Sequence, residues 1–480
     1  MEPTTDGRMA PLERVGLAVF LVVVGATQIP ALRGRGFWLD EAFSIGATHD
    51  VVATLRRTSG TMAAFYVALV PWRAVSDERA WLRLLPLLFA LAALGLTYQQ
   101  AHRRWGRSVA LVATASMASS VLFLRWSTEL RSYSLALLAV TAGWFALLRW
   151  VDEDAGATRS RWRWVWAGAG LLAVAAHGLA AFQIAAQLGA IAIRPDRRQL
   201  LRRAWPALGG LGLAGALWLA GARDVGVQQL ADRESLVRVW AGVTARPYVL
   251  RGLRTLVFAG AVAWGLAAWW RARERSWERL AIVAWATVTP VAVLALSPVR
   301  SYLRAPYLLG SLPGLALLVA LAVTDGRWRR WAVAASLAAL AVIGVVNARR
   351  VAAQDGEHWR EAAAYVDALA APGDALVVPS GYRRSPFDVG WAEAGGGAIA
   401  ALSPTEEVGV PLRHYDQVAD DLAAAVAAGP ERVFVVGQPN SKGSDPVGDL
   451  VTDPAVSAVY EPVAEATFHR EIEVVVLERR

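Results

Sequence analysis

The sequence has 480 residues, of which 55% are hydrophobic and only 19% are charged. Its mean hydropathy is positive. A soluble protein of this length carries more charged side chains on its surface, so the composition excludes an ordinary soluble protein and indicates a membrane protein. The sequence contains no cysteine, which excludes disulfides and thiolate metal sites.

The net charge of +9 is unevenly distributed. Residues 351–480 carry an acidic excess, so the first 350 residues carry the basic excess. Arginines in this first part form short clusters between apolar runs, at residues 103–107, 159–163, 194–203, 271–275 and 327–330. Such clusters are typical of cytoplasmic loops of membrane proteins. We therefore expect membrane lipids, and no nucleic acid, as partners of this part.

Apolar runs recur over the first 346 residues, and a crossing helix needs roughly 17–25 such residues. Val15–Leu32 follows Arg8 and Arg14 and has no clear cleavage site, so we expect a retained first span with a cytoplasmic N-terminus. Several of the 22 tryptophans stand at the ends of apolar runs, where the indole ring prefers the headgroup layer. The further runs lie at 62–75, 81–100, 108–124, 133–150, 164–177, 178–193, 205–222, 252–270, 280–297, 307–323 and 331–346.

The basic loops predict the orientation of the chain across the membrane. If they face the cytoplasm, residue 40 lies outside and residues 103–107 lie inside, so an odd number of crossings separates them. We expect the run at 81–100 to be the segment that crosses the membrane between them. The run at 62–75 is short and contains Pro71, so we expect an interfacial or re-entrant helix there and eleven crossings in total. A true span at 62–75 is the alternative, and it would place a basic loop outside.

From residue 351 the pattern changes to that of a small α/β domain. His358–Leu369 has helical character, whereas Asp374–Val378, Glu431–Gly437 and Glu471–Leu477 are rich in the residues that favour strands. The predicted fold is therefore mainly α. A polytopic transmembrane helix bundle spans residues 1–350, and an extracytoplasmic α/β domain follows at 351–480.

Several common motifs are missing from the sequence. It has no phosphate-binding loop ending in Gly-Lys-Ser/Thr and no His-Glu-x-x-His zinc helix. Gly210-x-Gly212-x-x-Gly215 matches a dinucleotide fingerprint formally, but it lies inside an apolar run, where small residues serve helix packing. No required cofactor is predicted, and a divalent metal has no support beyond the presence of carboxylates.

The segment from Gly36 to Ser44, which follows the first span, contains the adjacent acids Asp40 and Glu41. Two carboxylates at a membrane surface are costly when buried, and Phe37 and Trp38 before them favour the interface. A carboxylate there can take a proton from an acceptor hydroxyl or bind a metal. The alternative is the start of a solvated loop.

Other polar groups are predicted on the same outer face. They are Arg125, Glu129, Arg131 and Tyr133 at the end of one apolar run, His177 between two short spans, and Arg300, Tyr302, Arg304 and Tyr307 around two prolines. The last four of these residues flank Pro298 and Pro306, with Tyr307 directly after the second proline. Arginine beside tyrosine suits a phosphate, because the guanidinium donates paired, charge-assisted hydrogen bonds. Each group also has a purely structural interpretation: a packed turn for His177, headgroup anchors for Arg300 and Arg304, and an ion pair between Glu129 and Arg131.

These residues, in this order, resemble those of the GT-C integral membrane glycosyltransferases. The resemblance is strongest to the bacterial branch of protein O-mannosyltransferases and the lipid A aminoarabinose transferase. The segment Trp38–Ser44 after the first span resembles the signature of that superfamily. His177 occupies the position of its histidine between two short spans. Further similar segments follow in the same order, at Trp81–Pro86, Trp126–Tyr133, Tyr307–Pro313 and Trp359–Ala362. The resemblance covers about residues 10–380.

Two positions differ from the family pattern. Thr61-Met62-Ala63-Ala64 stands where relatives have a His-Pro-Pro or Lys-Pro element that helps to hold the donor phosphate. Pro306 stands where relatives tend to have an arginine before the tyrosine that matches Tyr307, and Arg304 is the nearest substitute.

The resemblance implies transfer of a hexosyl or pentosyl unit from a polyprenyl-phosphate donor to a glycan, lipid or protein acceptor of the cell envelope, with inversion. It implies Asp40 as the general base and Glu41 as its assistant. The polyprenyl phosphate would be bound by Arg131, His177, Arg300, Arg304 and Tyr307, with Trp38, Glu129 and Tyr133 in support.

Two alternatives belong to other functional classes. A lipid or solute transporter would also have many spans and embedded charges, but it would usually show inverted repeats and no C-terminal domain of this kind. A non-catalytic partner would keep the fold and bind a lipid-linked sugar without turning it over. The absent His-Pro-Pro element leaves this second alternative open.

Overall fold

The structure is a computed structural model of the 480-residue chain. It describes residues 9–57, 60, 62–153, 160–222, 248–271, 277–296, 304–325, 329–354, 356–379, 381–397, 399–401, 419–439 and 445–480. These residues divide into two compact units, which are described separately below. The first comprises the described residues of 9–33, 62–222 and 248–353, and the second comprises those of Gly34–Gly60 and Gln354–Arg480.

The first unit is helical. Its helices are α1 Pro11–Ala26, α2 Ile29–Gly34, α5 Ala63–Arg73, α6 Arg79–Trp105, α7 Arg107–Ala118, α8 Val121–Trp126, α9 Tyr133–Glu153, α10 Trp162–Ala176, α11 Ala181–Ala192, α12 Arg197–Ala222, α13 Tyr248–Arg271, α14 Trp277–Leu296, α15 Leu312–Thr324 and α16 Arg329–Ala352. Short 3-10 helices at Gly178–Ala180 and Ala305–Ser311 precede α11 and α15.

Among the described residues, six helices or helix pairs are long and apolar enough to cross a membrane. They are Pro11–Gly34, Arg79–Trp105, Tyr133–Glu153, Trp277–Leu296, Ala305–Thr324 and Arg329–Ala352. Large apolar side chains such as Val19, Val342 and Trp331 are exposed on their outer surfaces. Exposed apolar surface of this extent is stable in lipid and unfavourable in water. The chain is a multi-pass membrane protein, and the number of eleven crossings stays a prediction.

Local sequence signals set several helix ends. The Glu78 carboxylate accepts the N–H of Trp81 at 3.0 Å and caps α6. Gly106 separates α6 from α7 with a φ of +86°, a conformation that side chains with a Cβ atom rarely adopt. Gly314 allows α15 to approach α14 closely, because a Cβ atom there would lie 2.8 Å from the backbone nitrogen of Ala286.

The second unit contains two short helices from the N-terminal part, α3 Leu39–Gly46 and α4 Val51–Arg57. The remainder is an α/β fold formed by α17 Trp359–Leu369, β1 Ala375–Val377, α18 Gly381–Ala394, β2 Ala400–Ala401, α19 Ala419–Ala427, β3 Arg432–Gly437, α20 Pro446–Val451, α21 Pro454–Ser457, β4 Tyr460–Phe468 and β5 Ile472–Arg479. The sheet order is β2-β1-β3-β5-β4. β1 is parallel to β2 and β3, whereas β5 is antiparallel to β3 and β4.

Helices cover both faces of this sheet, because its central strands are apolar on both sides. On one face, Phe434 and Val474 pack with Trp359 of α17 and Phe387 of α18. On the other face, residues such as Val435 pack against α19, α20 and α21. A strand buried on both faces is continuously apolar, which explains the run of valines in β5.

The structure differs from the sequence-based expectations in the first span and at both edge strands of the sheet. The first span is interrupted after Ala26, so α1 and the short α2 replace one continuous helix. The run at 62–75 forms the 11-residue α5, which at 1.5 Å per residue is about half the length of the roughly 30 Å hydrocarbon core. This length agrees with the expected short interfacial or re-entrant helix, and its orientation in the membrane stays a prediction. β2 and β4 were not predicted. β2 has only two residues, and Glu461, Pro462 and Glu465 give the edge strand β4 a polar sequence.

Candidate active site

Asp40 and Glu41 lie in the first turn of α3, in the second unit. The positive end of a helix dipole stabilises negative charge at this position. Glu41 is fully buried, whereas Asp40 is partly exposed. Asp40 is therefore the carboxylate that a substrate can reach, whereas Glu41 stabilises the start of α3. A long hydrogen bond of 3.5 Å from the Trp38 N–H to Glu41 Oε2 is consistent with that role.

Trp38 adds a hydrogen-bond donor beside this turn. Its indole Nε1 is buried and has no acceptor among the residues that the structure describes. A buried donor without a partner costs free energy unless a ligand or water supplies an acceptor. Trp38 can therefore donate to a substrate oxygen.

In the first unit, three rings form one cluster. The ring centroids of Tyr133 and His177 are 5.5 Å apart, those of His177 and Tyr307 5.0 Å, and those of Tyr133 and Tyr307 6.3 Å. Trp126 packs edge-on against Tyr133 at 5.4 Å. Residues from three separate parts of the sequence thus meet, and the cluster combines two phenol groups with one imidazole.

The backbone around His177 orients the imidazole. His177 ends α10 in an extended conformation and precedes the 3-10 helix Gly178–Ala180. Its Nδ1 atom accepts a hydrogen bond from the N–H of Leu179 at 3.3 Å. In a neutral imidazole one nitrogen accepts and the other donates, so this bond assigns the proton to Nε2. His177 therefore offers an N–H donor.

Gln183 of α11 joins the helices beneath this cluster. Its Nε2 lies 2.8 Å from Thr289 Oγ1, 2.9 Å from Ser311 Oγ and 3.2 Å from a backbone oxygen of α14, while its Oε1 accepts from Trp144 Nε1 at 2.8 Å. Trp144 also stacks on Trp285 at 5.5 Å. This buried network links four helical elements and fixes the turn that carries His177.

Two of the arginines predicted to bind phosphate, Arg131 and Arg304, lie just before helices of the first unit. Arg131 stands in the loop before α9 and interacts electrostatically with His177. Arg304 precedes the 3-10 helix that carries Tyr307, and its carbonyl oxygen accepts the Tyr307 N–H at 3.2 Å. Both residues are partly exposed.

The loop between α8 and α9 is held by a buried acid. Glu129 is fully buried and forms an ion pair with Arg125. Arg125 also lies over the ring of Trp126, 5.1 Å from its centroid. A buried carboxylate needs such a partner, so Glu129 has a structural role in positioning the loop that presents Arg131 and Tyr133.

A cavity of about 30 Å³ lies beside the ring cluster, lined by Tyr133, His177 and Tyr307 among others. It has room for about one or two water-sized groups and not for a sugar phosphate. The cavity therefore does not enclose a whole ligand. The three rings can donate hydrogen bonds to one side of a ligand.

The predicted residues fall into two groups. Tyr133, His177 and Tyr307 are brought together with Arg131 nearby in the first unit, whereas Trp38, Asp40 and Glu41 belong to the second. Arg300 lies outside the described residues. Within the described part of the chain, no group of three or more His, Cys, Asp or Glu side chains could hold a metal ion.

Sequence reasoning missed Gln183 and Glu357. Gln183 was detectable, because an uncharged polar residue within an apolar run is costly in a membrane and is retained for a reason. Glu357 carries no such signal, since it lies in a polar stretch. Its contacts with the segment before α3 are described below.

No protein-family model matches the sequence, and no curated protein is significantly similar to it. Solved structures do share its fold. ArnT from Cupriavidus metallidurans in the apo state gives a TM-score of 0.65 at 15% identity, covering 97% of this chain and 98% of that chain. The structure of ArnT bound to undecaprenyl phosphate gives 0.61 at 14% identity, with the same coverage.

The archaeal oligosaccharyltransferase AglB from Archaeoglobus fulgidus, in complex with an inhibitory peptide and a dolichol-phosphate, gives a TM-score of 0.55 at 11% identity. The match covers 90% of this chain and 70% of that chain. ArnT and AglB are GT-C membrane glycosyltransferases. The predicted GT-C fold is therefore confirmed, and at these identities the likeness concerns the fold alone.

Proposed function

We propose that this protein is an inverting glycosyltransferase that moves a sugar from a polyprenyl-phosphate donor to an acceptor at the outer face of the cytoplasmic membrane. The observation that carries the proposal is the convergence of Tyr133, His177 and Tyr307, with Arg131 close by, in a GT-C fold. These groups are hydrogen-bond donors or cations, as a phosphate leaving group requires.

Asp40 is the general base. Its carboxylate takes the proton of the acceptor hydroxyl while the acceptor oxygen attacks the anomeric carbon of the donor sugar. The bond from that carbon to the phosphate oxygen breaks, and polyprenyl phosphate leaves with the bonding electrons. Attack opposite the leaving group inverts the anomeric configuration. The partial exposure of Asp40 and its place in the first turn of α3 support this role.

Charge grows on the phosphate as the sugar leaves, so groups that bind it contribute to rate as well as to affinity. Arg131 and Arg304 supply positive charge, and His177 and Tyr307 supply N–H and O–H donors. Tyr133 supports the cluster by packing, and Glu129 supports the loop that carries Arg131. Arg300 is assigned to the same phosphate from the sequence alone.

The remaining assignments concern the acceptor side and the location. Glu41 stabilises the start of α3, and the indole N–H of Trp38 donates to a substrate oxygen. The N-terminus is cytoplasmic and the C-terminal domain is extracytoplasmic. The acceptor is a glycan, a lipid or a protein of the cell envelope, and no metal is required.

The direct test uses the purified protein in lipid nanodiscs with a panel of hexosyl and pentosyl polyprenyl phosphates. Acceptor-dependent release of polyprenyl phosphate, slowed by roughly 10²–10⁴ in Asp40→Asn, is the expected result. Binding of the donor without release, in the presence of envelope extract as acceptor, would identify a non-catalytic partner instead. Passage of the intact donor across liposome membranes would identify a transporter. Mass spectrometry of envelope glycans from cells lacking the protein then identifies the sugar.

A further inference from the structure

Two glycine-containing segments of the second unit are in direct backbone contact. Gly36 precedes α3, and Gly356 precedes α17. A Cβ atom on Gly36 would overlap the carbonyl of Glu357, and a Cβ atom on Gly356 would overlap the backbone of Gly36. Glycine is required at both positions by this close approach. The segment that leads into α3 is thus held against the start of the C-terminal domain.

The side chain of Glu357 continues this contact. It is only 7% exposed. Its Oε2 atom accepts hydrogen bonds from the backbone N–H of Leu39 at 3.2 Å and from the Nε1–H of Trp359 at 2.8 Å. Its Oε1 atom lies 3.9 Å from Nη1 of Arg383 on α18. A buried carboxylate is stable only with such partners.

The bond to Leu39 has a specific consequence for α3. Leu39 is the first residue of this helix, and the first N–H groups of a helix have no acceptor within it. Glu357 supplies that acceptor from 318 positions further along the chain. Its charge also interacts favourably with the helix dipole. The next two residues of the same turn are Asp40 and Glu41.

We infer that Glu357 is a positioning residue for the transfer reaction: it holds the first turn of α3 so that the Asp40 carboxylate has the orientation that proton removal requires. This inference rests on the proposed function. Glu357 itself is bound to Leu39 and Trp359 and takes no proton from the acceptor.

The test compares turnover and donor binding in variants of the full-length protein. Glu357→Ala should lower kcat by roughly 10- to 100-fold, because small misplacements of a catalytic group have effects of this size, while the Kd for the polyprenyl-phosphate sugar changes by less than about twofold. Glu357→Gln retains an oxygen that can accept the Leu39 N–H. It should therefore recover most of the activity.

A matched control separates positioning from stability. Asp374 is a nearly buried carboxylate of the same unit that accepts from Arg432 at 2.7 Å and from the Ala371 N–H at 2.7 Å. Asp374→Ala removes a comparable bond network but none of the bonds to α3. Its kcat per folded molecule should equal that of the unchanged protein, even where thermal stability falls.

The outcomes are distinguishable. Unchanged kcat in folded Glu357→Ala, with Asp40→Asn inactive, overturns the positioning role alone. Full activity of Asp40→Asn overturns the assignment of the base, on which the inference rests. If Glu357→Ala does not fold, Glu357→Asp is the alternative variant. It keeps the charge, but its side chain is shorter by one methylene, which moves the carboxylate away from the Leu39 N–H. Normal kcat in folded Glu357→Asp then refutes the inference, and lowered kcat with unchanged donor binding supports it.

Discussion

Nδ1 of His177 accepts the backbone N–H of Leu179, and this bond leaves Nε2 as the donor. Glutamine places an amide near Nε2 of histidine, whereas asparagine places one near Nδ1. His177→Gln should therefore keep a donor to the phosphate, and His177→Asn should lose it. Because a hydrogen bond to a charged group contributes about 1.5–3 kcal/mol, donor Kd should rise roughly 10- to 100-fold in His177→Asn. A titration of both variants with donor lipid tests this, and equal affinities would refute the Nε2 assignment.

Asp40→Asn should lower kcat by roughly 10²–10⁴ with little change in donor affinity, because proton removal matters only as the acceptor attacks. Single-turnover transfer and donor binding measure the two quantities separately. Asp77→Asn is a suitable control, since Asp77 is exposed and pairs with Arg73 on the surface, where an ion pair contributes little to stability. Loss of donor binding in Asp40→Asn would contradict its role as base.

Arg304→Ala and Arg131→Ala should each weaken donor binding, because the phosphate is charged before reaction. Each should also slow turnover, because the charge on the phosphate grows as the sugar leaves. If both guanidinium groups contact one phosphate, the double variant should be less than additive in free energy. Arg198→Ala removes an exposed arginine from a predicted cytoplasmic cluster and should leave both quantities unchanged. Unaltered binding in Arg304→Ala would exclude it from the phosphate site.

The predicted orientation can be tested on intact cells, because the chain contains no cysteine. Ala458 is exposed in the C-terminal unit, and Gln199 is exposed near the start of α12. Ala458→Cys should react with a membrane-impermeant maleimide in intact cells. Gln199→Cys should react only after permeabilisation. The reverse pattern would place the C-terminal domain in the cytoplasm and move the proposed chemistry with it.

Gln183→Leu should destabilise the first unit by several kcal/mol, because it leaves Trp144, Thr289 and Ser311 without their buried hydrogen-bond partner at about 1–3 kcal/mol each. Gln187→Leu on the same helix is the matched comparison. Gln187 accepts from Trp166 Nε1 at 2.7 Å, and the structure gives it fewer hydrogen bonds than Gln183. Thermal unfolding in detergent should show the larger decrease for Gln183→Leu. Equal decreases would mean that the extra bonds of Gln183 contribute little.

The sequence predicted the elements that hydrophobicity determines. Apolar runs gave the long helices, and His177 was placed between two short helices because a 30-residue apolar stretch needs a turn. Three of the five strands were found, since β1, β3 and β5 are buried on one or both faces. The edge strands β2 and β4 were missed. β2 is too short to show a pattern, and β4 has an exposed face with charged residues, so its sequence is not continuously apolar.

The candidate site was predictable only in part, because the contacts around its residues join positions that are distant in sequence. Order and residue type indicated Asp40, His177 and Tyr307. The bond between Glu357 and Leu39 depends on tertiary packing alone, and no periodicity marks it. The sequence also did not predict that Gly34–Gly60 groups with the C-terminal residues, since sequence analysis assigns each segment to its nearest neighbours in the chain.

Leu39 and Glu357 are 318 positions apart, and this separation determines when, during synthesis, Glu357 can bind the start of α3. Ribosomes add about 5–20 residues per second, so Glu357 is synthesised roughly 15–60 s after Leu39. During that interval α3 has no acceptor from the C-terminal domain for its first N–H. A nascent chain arrested before residue 357 should insert its spans and still lack transferase activity. The last quarter of the protein must therefore be synthesised before Asp40, in its first tenth, can be held in position for the reaction.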